Sequence, residues 1–94
     1  MACWVYIVKC RNGEYYTGSY RGKWIDDRIG EHNDGKYKGY TFNRRPVTLI
    51  WAEEFQSIKD AIGVERQIKG WSRRKKDAFI KGDFDLLAQY SKRP

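Results

Sequence analysis

Histidine and cysteine are nearly missing from this chain. Its 94 residues hold one histidine and two cysteines. Residues 3–10 read as a strand, so Cys3 and Cys10 point to opposite faces, roughly 20 Å apart at the usual rise per residue. A bridge between them is excluded. One histidine and two such cysteines also exclude a structural zinc site. A reduced, cytoplasmic protein is expected. Long apolar runs are missing as well. The longest, Cys3–Val8, is far short of a membrane span, and no signal-peptide pattern precedes it. There are no repeats, linkers or low-complexity segments. A chain of this length is expected to form one domain, 1–94.

Positive charge and aromatic rings are plentiful. Lysine and arginine total 19 against 12 acidic residues, a formal net charge of +7, and 16% of the residues are aromatic. The aromatics can supply much of a modest core. The charge points to a polyanion, nucleic acid first, with anionic membrane as the rival partner.

Residues 3–10 and 14–20 form two strand-like runs around Arg11-Asn12-Gly13. Helical spacing covers 23–33. The polar, glycine-bearing stretch 34–45 reads as a loop, and Pro46 opens a third strand, 47–55. Ser57-Ile-Lys-Asp60 resembles a capping box with Asp in place of Glu and starts a helix to about Gly70. Ser72 can cap a helix over 73–81, and Asp83 a last one over 84–90. The order is ββαβαα with a fourth, C-terminal helix.

Two turns fit the first hairpin. A two-residue Asn12-Gly13 turn pairs Arg11 with Glu14 and puts Tyr6 and Tyr16 on opposite faces. A three-residue loop with Gly13 left-handed pairs Cys10 with Glu14, sets Tyr6 opposite Gly18, and puts both phenols on one face. A one-residue slip flips every side chain. The residues alone slightly favour the two-residue turn.

Polar residues stand where core residues belong. At about 100° per residue, Trp24, Ile25 and Ile29 lie near 0°, 100° and 140° of the first helix. Arg28 and His32 fall near 40° and 80°, inside that arc. In the next helix Ile58, Ala61, Ile62 and Ile68 form a stripe, and Glu65 falls in its centre. A buried carboxylate must meet a cation or a metal, or carry a proton. In the plainest reading Glu65 pairs with Arg28, His32 is a satisfied half-buried histidine, and the tyrosines are ordinary strand aromatics. The conjunction of all five in one basic chain suits phosphodiester chemistry instead. A carboxylate can hold a divalent ion. A guanidinium can take charge developing on phosphorus. A phenol or imidazole can orient or deprotonate water.

These residues resemble the GIY-YIG nuclease family, above all its small standalone bacterial members related to the N-terminal nuclease domain of the DNA-repair excinuclease. The likeness rests on Val5-Tyr6-Ile7, Tyr16-Thr17-Gly18, Arg28-Ile-Gly-Glu-His32, Thr41–Pro46 and Glu65 within "AIGVERQIKGW", over about residues 3–80. It implies an α+β fold, a small three-stranded, mostly antiparallel sheet flanked by helices, and it favours the same-face register. By the same resemblance Tyr6 and Tyr16 position or activate water and Arg28 stabilises the scissile phosphate. His32 assists or serves as base, and Glu65 binds one Mg²⁺ or Mn²⁺. The partner implied is nucleic acid, DNA ahead of RNA, met by a monomer. Two departures stand out. Trp4-Val5-Tyr6 lacks the family's glycine and Thr17 replaces isoleucine. The family's later Asn has no counterpart in "DAFI" at 77–80.

Backbone contacts are expected from Arg44 and Arg45, which follow Tyr37, Tyr40 and Phe42, and from Lys69, Arg73, Arg74, Lys75 and Lys76. Two other classes compete: a nucleic-acid-binding module without turnover, and an interaction domain whose polar face is an ion-pair network.

Overall fold

The structure, a computed structural model, describes residues 2–91. Strand β1 (Cys3–Lys9) lies at the centre of a sheet of order β2-β1-β3. Its partners are β2 (Tyr15–Arg21) and β3 (Thr48–Phe55). Both pairings are antiparallel, so the described sheet has no parallel pair. Helix α1 (Ile25–Asn33) follows β2, and a 3₁₀ turn at Phe42–Arg44 precedes β3. Helices α2 (Ile58–Lys69), α3 (Arg73–Lys81) and α4 (Phe84–Ser91) complete the order ββαβααα.

The hairpin adopts the three-residue loop. The Cys10 amide donates to Glu14 O at 2.8 Å, the Gly13 amide donates to Cys10 O at 2.9 Å, and Gly13 has φ 88°. Only glycine takes that φ without steric cost. Tyr6 therefore stands opposite Gly18, and Val8 opposite Tyr16. The two-residue turn would have set Ser19 opposite Tyr6 and denied its ring the gap that Gly18 leaves.

Central β1 is covered on both faces, and this explains its unbroken apolar run. Cys3, Val5 and Ile7 pack against Ala61 and Ile68 of α2, with Trp51, Trp71 and Phe79 around them. Tyr6, Val8 and Cys10 pack on the other face with Val47, and with Ile25 and Ile29 of α1. Cys3 and Cys10 are buried in these separate clusters and remain free thiols. Ile50 has no partner on β1, because Ile7 pairs with Trp51 and Val8 with Leu49. The bulge sharpens the local twist.

Caps fall where the sequence put them. Ser57 Oγ accepts from the Asp60 amide, Ser72 Oγ from the Lys75 amide, and Asp83 Oδ1 from the Leu86 amide.

Two expectations need correction. Helix α1 starts at Ile25, and Trp24 is extended and 61% exposed. Ile25, Ile29 and His32 centre the inward arc near 100°, which leaves Trp24 at its edge. On α2, Ile58 and Ile62 are exposed. The buried residues are Ala61 and Ile68, with Val64 packed beside them. Val64 lies at about −120° from Ile58, so it pulls the inward arc to about −60° to −120°. Glu65 then sits on the flank of that arc rather than in its centre.

Candidate active site

The register of β1 and β2 places Tyr6, Tyr16 and Tyr20 on the α1 face of the sheet. Tyr6 is 1% exposed, and its ring fits because residue 18 has no side chain. A Cβ built at Gly18 would lie 2.5 Å from Tyr6 Oη and 3.1 Å from Tyr16 Cε2. The Tyr6 and Tyr16 ring centroids are 6.4 Å apart.

Helix α1 brings His32 over these rings, 5.8 Å from Tyr6 and 5.7 Å from Tyr16 in edge-on contact. Both ring nitrogens are engaged. Nε2 is 2.8 Å from Tyr6 Oη, and Nδ1 is 2.8 Å from Thr41 Oγ1. Burial, reinforced by the Arg28 charge, pulls His32 below its ordinary pKa. Burial, with Tyr16 next, pushes the Tyr6 phenol far above its ordinary pKa. At neutral pH both groups are uncharged.

One turn before His32, the Arg28 guanidinium lies over two rings, 4.7 Å from the Tyr20 centroid and 4.6 Å from that of Tyr37. Its Nε is buried with no hydrogen-bond partner among the described residues. The Arg28–Glu65 ion pair of the plainest reading is not formed. Glu65, with 15% of its side chain exposed, pairs instead with Lys69 Nζ at 3.0 Å, one helical turn along α2. A flank position suits that pairing, because i and i+4 share a helix face.

Tyr6, Tyr16, Arg28, His32 and Glu65 all line one cleft of about 300 Å³, and residues 37–41 form a wall of it. Among the described residues no three of His, Cys, Asp and Glu gather into a metal cage. Glu65 is the carboxylate that borders the cleft. A single carboxylate suits Mg²⁺, which keeps several waters and takes further oxygens from substrate phosphate.

The basic residues are divided. Lys69 stands beside Glu65, 5.9 Å from the Tyr16 centroid, and Arg44 stacks on Tyr40 at 3.9 Å. Each touches a residue that lines the cleft. Arg45 donates to Phe42 O, and Arg73 donates to Gly13 O at 2.8 Å while covering the Tyr15 ring. Arg74 stacks on Tyr90 and Lys75 on Trp71. Lys76 is half-buried, and burial lowers its pKa. Arg45 and Arg73 thus hold the fold together as well as carrying charge.

Sequence reasoning missed Tyr20 as a wall for Arg28, Lys38 as a cleft residue and Thr41 as the histidine's partner. Tyr20 was findable, since period two puts it on the face of Tyr16 and Gly18. Lys38 and Thr41 sit in a loop whose path no periodicity describes.

A three-stranded antiparallel sheet with helices on both faces, and two strand tyrosines facing an Arg/His helix and a helical Glu, defines a GIY-YIG-type domain. The sequence profile of the GIY-YIG catalytic domain matches residues 2–77, and this chain belongs to the GIY-YIG family. It is 45% identical over 73 residues to a UPF0213 protein of Staphylococcus saprophyticus, covering 78% of this chain and 87% of that one. It is 40% identical over 75 residues to the UPF0213 protein YazA of Bacillus subtilis, covering 80% and 74%. The solution NMR structure of the UPF0213 protein BH0048 from Bacillus halodurans aligns with a TM-score of 0.58 at 33% identity, over 99% of this chain and 100% of that one. No described helix is long and apolar enough to cross a membrane.

Proposed function

We propose that this protein is a metal-dependent nuclease that hydrolyses phosphodiester bonds, with DNA ahead of RNA as its substrate. The observation that carries this reading is the shared cleft of Tyr6, Tyr16, Arg28, His32 and Glu65 in a GIY-YIG chain of net charge +7. The scissile phosphate is attracted to Arg28, whose buried Nε has no hydrogen-bond partner among the described residues. Its charge is available as negative charge grows on the phosphoryl oxygens. The two phenols hold the attacking water in line with phosphorus. Glu65 would hold Mg²⁺ or Mn²⁺, which polarises a phosphate oxygen and acidifies bound water. With the carboxylate so occupied, the half-exposed Lys69 side chain would be free to meet a substrate phosphate.

A second reading, binding without turnover, is supported by the Lys69 ammonium already seated on Glu65. A cleavage screen on branched, nicked and single-stranded substrates with Mg²⁺ or Mn²⁺, run beside Glu65→Gln, decides between them. Cutting by wild type alone supports the nuclease. Tight binding of the same substrates with no cutting and no Mn²⁺ uptake would leave the binding module.

A further inference from the structure

We infer that Thr41 is a positioning residue: its hydroxyl donates to His32 Nδ1, fixes the Nε2–H tautomer, and so makes Tyr6 rather than His32 the group that presents a proton to the cleft. Thr41 is 2% exposed, at the start of the 3₁₀ turn, and the Arg44 amide holds its carbonyl at 3.0 Å. Its Oγ1 meets His32 Nδ1 at 2.8 Å, and His32 Nε2 meets Tyr6 Oη at 2.8 Å.

Three groups in a row share three protons and two hydrogen bonds, so one O–H is left over at one end. If His32 carried its proton on Nδ1, the spare would be the Thr41 O–H. Among the described residues neither that hydroxyl nor Tyr6 Oη has a second hydrogen-bond partner, and both border the cleft, so what decides is which end an acceptor can reach. A buried O–H left without an acceptor is costly. If His32 carries its proton on Nε2, Thr41 donates to Nδ1, Nε2–H donates to Tyr6 Oη, and the spare is the Tyr6 O–H. Tyr6 shares the cleft with Glu65, whose negative charge acts on the phenol. An anion there attracts the spare proton, whether it is the carboxylate or a phosphate oxygen. His32 in this state has no free lone pair, because its one acceptor nitrogen is occupied by Thr41. Its work is to hold the Tyr6 oxygen in place.

The chain has a single histidine, so a long-range ¹H–¹⁵N spectrum of the ring nitrogens needs no assignment. Wild-type protein at neutral pH should show Nε2–H. Thr41→Ser should show the same ring. Thr41→Val removes the donor to Nδ1, and the ring should then sample both tautomers. Nδ1–H in the wild type would overturn the inference whether or not Thr41→Val folds, as would a wild-type ring in folded Thr41→Val. The tautomer stands apart from the nuclease reading, while the role given to Tyr6 rests on it. In cleavage assays Thr41→Val should lower turnover about 10–100-fold at unchanged substrate affinity, with Thr41→Ser near wild type. An Nε2–H ring in a protein that cuts nothing would uphold the tautomer and reject the nuclease.

Discussion

Tyr6 stands opposite Gly18 across the β1–β2 ladder, and its phenol occupies the place a side chain at 18 would need. That contact joins the hairpin register to the cleft. Gly18→Ala should push the Tyr6 ring aside and break its hydrogen bond to His32. Overpacking of this kind typically costs about 1–3 kcal/mol. Thermal unfolding should show the loss, and the His32 ring signals should move with it. An unshifted melting curve with unchanged ring signals would mean the strands can yield.

Glu65→Gln separates chemistry from architecture. Its partner is Lys69, half-exposed and one turn away on the same helix. Pairs of this sort contribute under about 1 kcal/mol. The variant should therefore melt within that range of wild type, bind nucleic acid as well or better, and neither cut nor take up Mn²⁺. A large drop in stability, measured beside a wild type indifferent to Mn²⁺, would make Glu65 structural.

His32 gives stability a pH dependence with a definite sign. Its folded pKa lies below the ordinary 6.5 because burial and Arg28 disfavour the imidazolium. The unfolded chain therefore takes up a proton that the folded chain refuses. Stability contributed here is complete above about pH 6.5, falls as pH drops through that value, and levels off below the folded pKa. Melting curves between pH 7.5 and about 5 should show the decline, and His32→Asn should remove this component. An identical slope in the variant would assign the dependence to carboxylates.

Much of this molecule was legible in its sequence, and the failures have physical reasons. Ser57, Ser72 and Asp83 announced their helices because a cap is a local hydrogen bond. The hairpin was ambiguous, since both turns satisfy local chemistry and only the packing of Tyr6 on Gly18 separates them. Ile58 and Ile62 misled because apolar residues need not be buried, whereas Val64 carried the better signal. Asn33, at the edge of the inward arc of α1 by its angle, exchanges two hydrogen bonds with the Val47 backbone, at 3.0 and 2.7 Å. That clasp ties the long loop to α1, and it became visible only once the loop's return path was known.

Nucleic-acid binding should depend on salt through residues free to reach phosphates. Lys38 borders the cleft and is exposed, and Lys75 sits on α3 over Trp71. Lys38→Ala and Lys75→Ala should each weaken binding equally across sequences and flatten the log–log salt slope by about 1. Arg73→Ala also frees Gly13 O and uncovers Tyr15, so it should lower the melting temperature too. Unchanged slopes in both lysine variants would move the interface elsewhere.

Arg28→Lys tests the site where charge and shape part company. The guanidinium lies over the Tyr20 and Tyr37 rings, and among the described residues its buried Nε has no hydrogen-bond partner. Lysine keeps the positive charge but has neither a flat face to stack nor a fork to grip two phosphoryl oxygens. If Arg28 serves mainly to hold the two tyrosines, the exchange should lower stability and leave any cleavage by the surviving folded fraction intact. If it serves the phosphate, the fold should survive nearly unchanged, because Nε gives up no internal hydrogen bond. Substrate should still bind through the remaining cations. Turnover should fall about 10²–10³-fold, the usual effect of losing one donor that stabilises transition-state charge. Cleavage rates at saturating substrate, taken beside melting curves of the same preparations, separate the two. A stable variant that cuts at the wild-type rate would remove Arg28 from the chemistry.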